Sequence, residues 1–348
     1  MTNFTLNCPT PLHYEQIVLA HGGGGRLMQQ LLDSTVQPIF NNPLLQQKQD
    51  CAVFPIGNQK LAFTTDSYVI NPVFFAGGDI GKLAVCGTLN DLAMSGAKPL
   101  YLSCGLILEE GFAIADLKRI LQSMQTTAEA AGVSIVTGDT KVVDRGKGDG
   151  IYINTAGIGL VAPDVNSAPQ RIQVGDSIII NSDIARHGMA IMLAREGVAF
   201  ESRIESDCAD LSGLVQELIA AKLDLHCLRD LTRGGLASGL LELAATSGQR
   251  FAIQETAIPI HDDVNSACEI LGFDALYVAN EGCFVLFVAA EDSDKTLDIL
   301  HSHPLGLQAR QIGTVTNIEK NGAVILETAM GINRQLMLLS GEQLPRIC

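Results

Sequence analysis

Residues 81–108 read GKLAVCGTLNDLAMSGAKPLYLSCGLIL, and this stretch decides the fold. Residues 81–95 predict a helix, with Leu83, Ala84, Gly87, Leu92 and Met94 offering small and apolar contacts. Lys98-Pro99 breaks it, because proline has no backbone donor and disfavours helical geometry in the residue before it. Residues 100–108 then return as a buried strand. The pattern continues outward on both sides. Upstream, residues 61–65 predict a strand that delivers Asp66 at its end. Downstream, residues 116–131 carry a helical period in Leu117, Ile120, Leu121 and Met124 and stop at Gly132. Residues 133–136 form a short predicted strand leading into Thr137-Gly138-Asp139-Thr140-Lys141, and residues 151–160 another strand.

A polar, proline-punctuated stretch at residues 162–169 reads as a linker. The second half predicts strands at 177–181, 277–279 and 283–289, with helices at 188–195, 211–221, 235–245 and 292–302. Alternating strands and helices give a layered α/β or α+β architecture. Four segments follow: residues 1–42, rich in glycine; a first domain at 43–162; a second at 170–335; and a tail at 336–348.

The chain has 348 residues, 47% hydrophobic and 18% charged, which is enough for two well-packed domains. Its 23 basic and 38 acidic side chains leave a net charge of −15. That balance argues against nucleic acid or an anionic membrane as the main partner. Nine cysteines show no zinc-like spacing, and an odd number cannot pair completely. A reducing, cytoplasmic home is expected. Residues 1–7 carry no signal pattern, and no stretch reaches the length of a membrane span.

The sequence ends Pro345-Arg346-Ile347-Cys348, with nothing beyond to bury the thiol, and residues 340–345 read as a mobile arm. A nucleophile on such an arm is either a carrier group or a cysteine of no consequence. Acidic residues recur at strand ends and in glycine-flanked turns: Asp50, Asp66, Asp91, Asp139 and Asp230. Each alone suits a turn or a helix cap, while five together suggest Mg²⁺ held with phosphate oxygens. His21-Gly22-Gly23-Gly24-Gly25-Arg26 is either a linker or an open backbone able to wrap an anion ahead of a helix at Leu27. Arg233-Gly234-Gly235 offers a second cradle, with a plain helix start as its equal. Lys141 reads as a surface lysine or a charge stabiliser beside Asp139. Glu281, between two predicted strands, is a hairpin residue or a base. His21 and His187 have no evident partner in the sequence, so neither is assigned chemistry of its own.

These segments resemble the ATP-dependent superfamily of aminoimidazole ribonucleotide synthetase, selenophosphate synthetase and thiamine-monophosphate kinase. The resemblance rests on Asp50-Cys51-Ala52-Val53, Thr64-Thr65-Asp66, residues 90–99 (NDLAMSGAKP), Thr137-Gly138-Asp139-Thr140 and residues 230–236 (DLTRGGL). Residues 21–26, the run 136–150 (VTGDTKVVDRGKGDG) and the final tetrapeptide are similar to the HypE family of carbamoyl dehydratases.

That resemblance implies ATP-driven dehydration of a carboxamide on Cys348 to a thiocyanate, which supplies cyanide to the iron of [NiFe]-hydrogenase. It implies ATP and Mg²⁺, HypF as the carbamoyl donor and a HypC–HypD complex as the receiver. Asp50, Asp91 and Asp230 would be metal ligands with Asp66 close by, and Gly138, Asp139 and Thr140 would meet metal or phosphate. Residues 21–26 would close over the phosphates, with Arg233 among the nucleotide contacts. Lys141 and Glu281 would flank the carboxamide, Glu281 as the favoured base. The implied fold is two α/β domains, the first pairing with its twin so that a homodimer closes a β-barrel. A small-molecule kinase or synthetase of the superfamily is the alternative, and it has no use for Cys348.

Overall fold

The computed structural model describes residues 14–196, 204–339 and 347–348. The arm expected at 340–345, the residue 1–7 segment and Cys8 lie outside the described residues. Two short helices, α1 (Arg26–Leu31) and α2 (Gln37–Phe40), lead into the first domain. A hairpin of β1 (Ala52–Ile56) and β2 (Gln59–Tyr68) is followed by a ribbon of β3 (Phe74–Phe75) and β4 (Gly78–Asp79). Then come α3 (Ile80–Met94), β5 (Ala97–Glu109), α4 (Ile114–Ala130), β6 (Ser134–Val143) and β7 (Ile151–Val161). The sheet runs β1-β2-β7-β5-β6, antiparallel throughout except for the parallel β5–β6 pair at one edge.

Asp79 caps α3 by accepting from the backbone N–H of Gly81 and Lys82 at 2.7 and 3.2 Å. The helix is apolar nearly all round, and a helix of that kind must be buried on every side. One side of α3 packs on the sheet and on α4, and the other meets the second domain. Asn90 makes that second contact specific. Its amide donates to the Ala209 carbonyl (3.0 Å), and its oxygen accepts from Leu211 N–H (2.8 Å).

The second domain contains β8 (Ser177–Ile180), α5 (Arg186–Glu196), α6 (Ser212–Ala220), β9 (Leu225–Asp230), α7 (Gly235–Ser247) and β10 (Gln249–Gln254). It continues with α8 (Asp262–Leu271), β11 (Phe284–Val288), α9 (Ser293–Ser302), β12 (Arg310–Ile318), β13 (Ala323–Glu327) and β14 (Asn333–Gln335). Its sheet order is β14-β13-β10-β12-β8-β11-β9. Strands β8 and β11 are buried at every residue, as unbroken apolar runs in a covered sheet should be.

Three expectations change. Residues 277–279 form no strand. Asp274 accepts from Leu276 N–H (3.0 Å) and winds Ala275–Tyr277 into a 3₁₀ turn, so local capping overrides β propensity. The strand expected at 133–136 runs on to Val143, and Thr137–Lys141 therefore lies in β6 rather than beyond it. Finally, β10, β12, β13 and α8 were not anticipated. Beyond β14, Leu336 is buried with its N–H on the Val324 carbonyl (2.9 Å), and Leu339 accepts from Arg26 N–H (3.0 Å). Among the described residues no helix is long and apolar enough to cross a membrane.

Candidate active site

Successive strand residues point to opposite faces, so Ala62, Thr64, Asp66 and Tyr68 of β2 turn toward α3 together. Asp91 faces them from α3, Asp50 from the residue pair ahead of β1, and Asp230 from the end of β9. Asp50, Thr64, Asp66, Asp91 and Asp230 line one cavity of about 270 Å³ with Arg233, Glu281, Gly24 and Cys348. Gly24 reaches it because its φ is +72° and a Cβ there would lie 2.9 Å from the Arg233 carbonyl oxygen. The glycine loop thus rests directly on the Arg233 turn.

The cavity concentrates negative charge. Asp50 is paired with Arg229 at 2.9 Å, and Arg229 also holds Glu242 at 3.2 Å. Burial nonetheless pushes the Asp50 carboxyl up to about 6. Burial, then the Asp50 charge, pushes Asp230 up to about 8. Asp91 rises well above the usual carboxylate range through burial and then through Asp230, Asp50 and Asp66, although the Thr64 hydroxyl donates to it at 2.7 Å. Glu281 is 2% exposed, and its Oε1 has no hydrogen-bond partner. Burial raises its affinity for a proton strongly.

Carboxylates forced together without enough positive charge are what a cation relieves, and all-oxygen donors suit Mg²⁺. Among the described residues no three His, Cys, Asp or Glu groups converge as a self-sufficient metal cage.

Cys348 is docked. Ile347 is 3% exposed and bridges Ile70, and Val69 N–H donates to the Cys348 carbonyl at 3.1 Å. The expectation of a thiol with nothing to bury it is therefore corrected. Burial pushes the thiol up to about 12, while Arg233 acts in the opposite direction. A Cys348 thiolate, and then Asp66, whose Oδ1 lies 4.0 Å away, would favour the charged Arg233 guanidinium against the effect of burial.

The other candidates stand apart from this cavity. His21, Gly22, Gly23, Gly25 and Arg26 are not in its wall; the His21 ring meets Val18 and stands edge-on to Tyr14. Asp66, Thr155, Cys104 and Gly138 form one row across the sheet from β2 to β6. Three strand spacings separate its ends by roughly 14 Å. Asp139, Thr140 and Lys141 follow Gly138 on that far edge, exposed, with the Lys141 ammonium 2.5 Å from Asp139.

Sequence reasoning assigned no individual role to Thr64, Arg229, Asn90, Asp207 or His187. Asp207 accepts from the backbone N–H of Glu281 (3.1 Å) and Gly282 (3.0 Å), fixing the bend that presents Glu281. Thr64 was open to discovery, two residues from Asp66 on one strand face. Asp207 and His187 come from distant segments and left no local signal.

Residues 48–161 match the AIR synthase related protein N-terminal domain, and residues 173–325 its C-terminal domain. The carbamoyl dehydratase HypE of Azotobacter vinelandii is 48% identical over 332 residues, 95% of this chain and 97% of that protein. A crystal structure of a HypE–HypF complex is similar with a TM-score of 0.84 at 42% identity, covering 89% of this chain and 99% of that one. HypE in complex with ATP gives a TM-score of 0.81 at 43% identity, covering 96% of this chain and 100% of that one. The fold, the lining of the cavity and these likenesses agree: the chain belongs to the AIR synthase related family and, within it, to the HypE carbamoyl dehydratases.

Proposed function

We propose that this protein uses ATP to dehydrate a carboxamide carried on the Cys348 thiol, leaving a thiocyanate. The observation that carries the reading is Cys348 itself, seated beside Arg233, Asp66 and Glu281 in the same cavity as Asp50, Asp91 and Asp230. Amide oxygen is a poor leaving group, and ATP as co-substrate converts it into a phosphate ester that leaves readily. The nitrogen loses one proton as the oxygen is phosphorylated and the second as phosphate departs, so the C–O bond breaks and C≡N forms. Glu281, buried with Oε1 unpartnered and its proton affinity raised, is the base for those protons. Arg233 faces the sulfur and the developing charge.

Asp50, Asp91 and Asp230 would hold Mg²⁺, which when bound offsets phosphate charge, with Asp66 beside them. Residues 1–42, through the 21–26 loop, would close over the nucleotide bound to the first domain, taken as 43–162. The second domain is taken as 170–335, and residues 336–348 as the carrier tail.

The similar HypE–HypF complex supports HypF as a partner, here in the role of carbamoyl donor; the reading adds HypC–HypD as receiver of the cyano group and a cytoplasmic location. A homodimer is part of it. The outer face of the first sheet leaves Phe63, Tyr101 and Ile107 exposed, and edge strand β6 leaves Ile135, Val136 and Val142. Apolar exposure of this kind on a sheet marks an interface. With Gly138–Lys141 roughly 14 Å along the sheet from Asp66, that run serves a site completed by a second copy.

Intact-protein mass spectrometry tests the reaction. With HypF and its substrates, Cys348 should gain a carbamoyl group, and the adduct should lose one water only when Mg²⁺ and ATP are present. Cys348 left unmodified while ATP is turned over on a small molecule would sink the proposal.

A further inference from the structure

We infer that His187 is a positioning residue that latches the Ile347–Cys348 segment in the cavity through a hydrogen bond to the Ile347 carbonyl. The inference rests on the dehydratase reading for its purpose, but not for its geometry. His187 lies in the first turn of α5, wholly buried, with Nε2 2.6 Å from the Ile347 oxygen and Nδ1 2.8 Å from Ser206 Oγ. A carbonyl only accepts, so Nε2 carries the hydrogen. The Ser206 hydroxyl then donates to Nδ1 and keeps its lone pairs for Cys208 N–H, 3.0 Å away. Every group in this chain of bonds has one consistent role. The Phe75 ring, edge-on at 5.6 Å, holds the imidazole from the side. Burial, opposed by the Ile347 hydrogen bond and aided by Arg195, lowers the ring to about 4, so it stays neutral and the tautomer stands near pH 7.

Among the described residues nothing else accepts from Nε2. Withdrawing Ile347 would leave that donor without a protein partner, so the ring favours the docked arrangement. A single neutral hydrogen bond is also a weak latch. Its net worth corresponds to roughly a two- to tenfold bias in an equilibrium. Such a bias suits a thiol that must be presented to the cavity and then released to other proteins.

The test reads Cys348 accessibility directly. Full-length protein without nucleotide is treated with iodoacetamide, and the label on Cys348 is quantified by peptide mass mapping. His187→Leu should raise the labelling rate about two- to tenfold. It should also lower the dehydration rate of carbamoylated protein at saturating ATP while leaving ATP affinity unchanged. His187→Gln places an amide donor near the Nε2 position and should restore both readings. Ser206→Ala removes the bond that orients the ring and should raise labelling less than the leucine variant does.

Unchanged labelling in His187→Leu, or a glutamine variant no better than leucine, would overturn the latch. Should the leucine variant not fold, wild-type labelling in Ser206→Ala would overturn it equally. Labelling needs neither ATP nor the carbamoyl group. Failure of the dehydratase reading would appear instead as wild-type adduct that keeps its water.

Discussion

Asp91 lies where an ionised carboxylate is least welcome, half-buried on α3 with Asp50, Asp66 and Asp230 around it. Its pKa is raised on folding, so it stabilises the apo protein only while protonated, and that contribution is lost as pH climbs through the shifted value. Asp91→Asn should therefore raise the apo melting temperature at pH 7 while cutting Mg²⁺–ATP turnover about 100-fold or more, the scale of losing one electrostatic partner in such a site. A variant with lower stability and normal turnover would remove Asp91 from the metal site. His187 titrates in the opposite sense. Its pKa falls from 6.5 to about 4 on folding, so the unfolded chain takes up a proton that the native protein refuses. Stability from this group is complete above about 6.5 and drains as pH falls toward about 4. Denaturant midpoints of the wild type should fall across that window, while those of His187→Gln, which takes up no proton there, should not show that loss, so the two separate at the acid end.

At the level of elements, α3 is the axle of the molecule. It is capped by Asp79, buried on all sides, and carries two neighbouring side chains with different duties: Asn90 joins the domains and Asp91 enters the cavity. Asn90→Leu would strand Leu211 N–H and the Ala209 carbonyl in a dry interface. Chemical denaturation should show a loss of about 2–4 kcal/mol, the cost of two unpaired buried groups. A loss below about 0.5 kcal/mol would mean that water replaces both bonds. The turn before α7 is similarly constrained. Gly235 has φ +60°, and a Cβ there would lie 2.5 Å from the Val278 carbonyl, which keeps β9 and residues 278–281 in register around the cavity.

For the whole molecule, the proposed reaction draws on Lys141 and Asp66, which stand on β6 and β2, three strand spacings apart in the five-stranded sheet. The proposed second copy would bring them together. Lysine at both Phe63 and Tyr101 should convert the dimer to monomer in sedimentation velocity, by placing charge on the outer face of the sheet. Unchanged sedimentation would exclude that face as the interface. Mixing Asp91→Asn with Lys141→Ala protein, each inactive alone, should recover dehydration, because a mixed dimer contains one site with both residues intact. No recovery on subunit exchange would place Lys141 outside the reaction.

The helix near residues 81–95 and the strand over residues 100–108 were legible from local apolar spacing, although the helix stops at Met94 ahead of Gly96 (φ +75°) and β5 already contains Pro99. So were the five aspartates, whose positions beside glycines and at strand ends are properties of the chain itself. Residues 277–279 were misread because one capping carboxylate, Asp274, outweighs the β preference of its neighbours. What only the tertiary structure decided is which groups meet. Asp50, Asp91, Asp230, Glu281 and Cys348 are up to 298 positions apart in sequence, yet they line one cavity. Gly138–Lys141 shares the family pattern and lies elsewhere on the sheet. His187 had no partner in sequence because its partner, a backbone carbonyl 160 residues away, has no side-chain identity to read. Local propensity belongs to short range and is written in the sequence; charge repulsion, desolvation and docking depend on distances that exist only once the chain has folded.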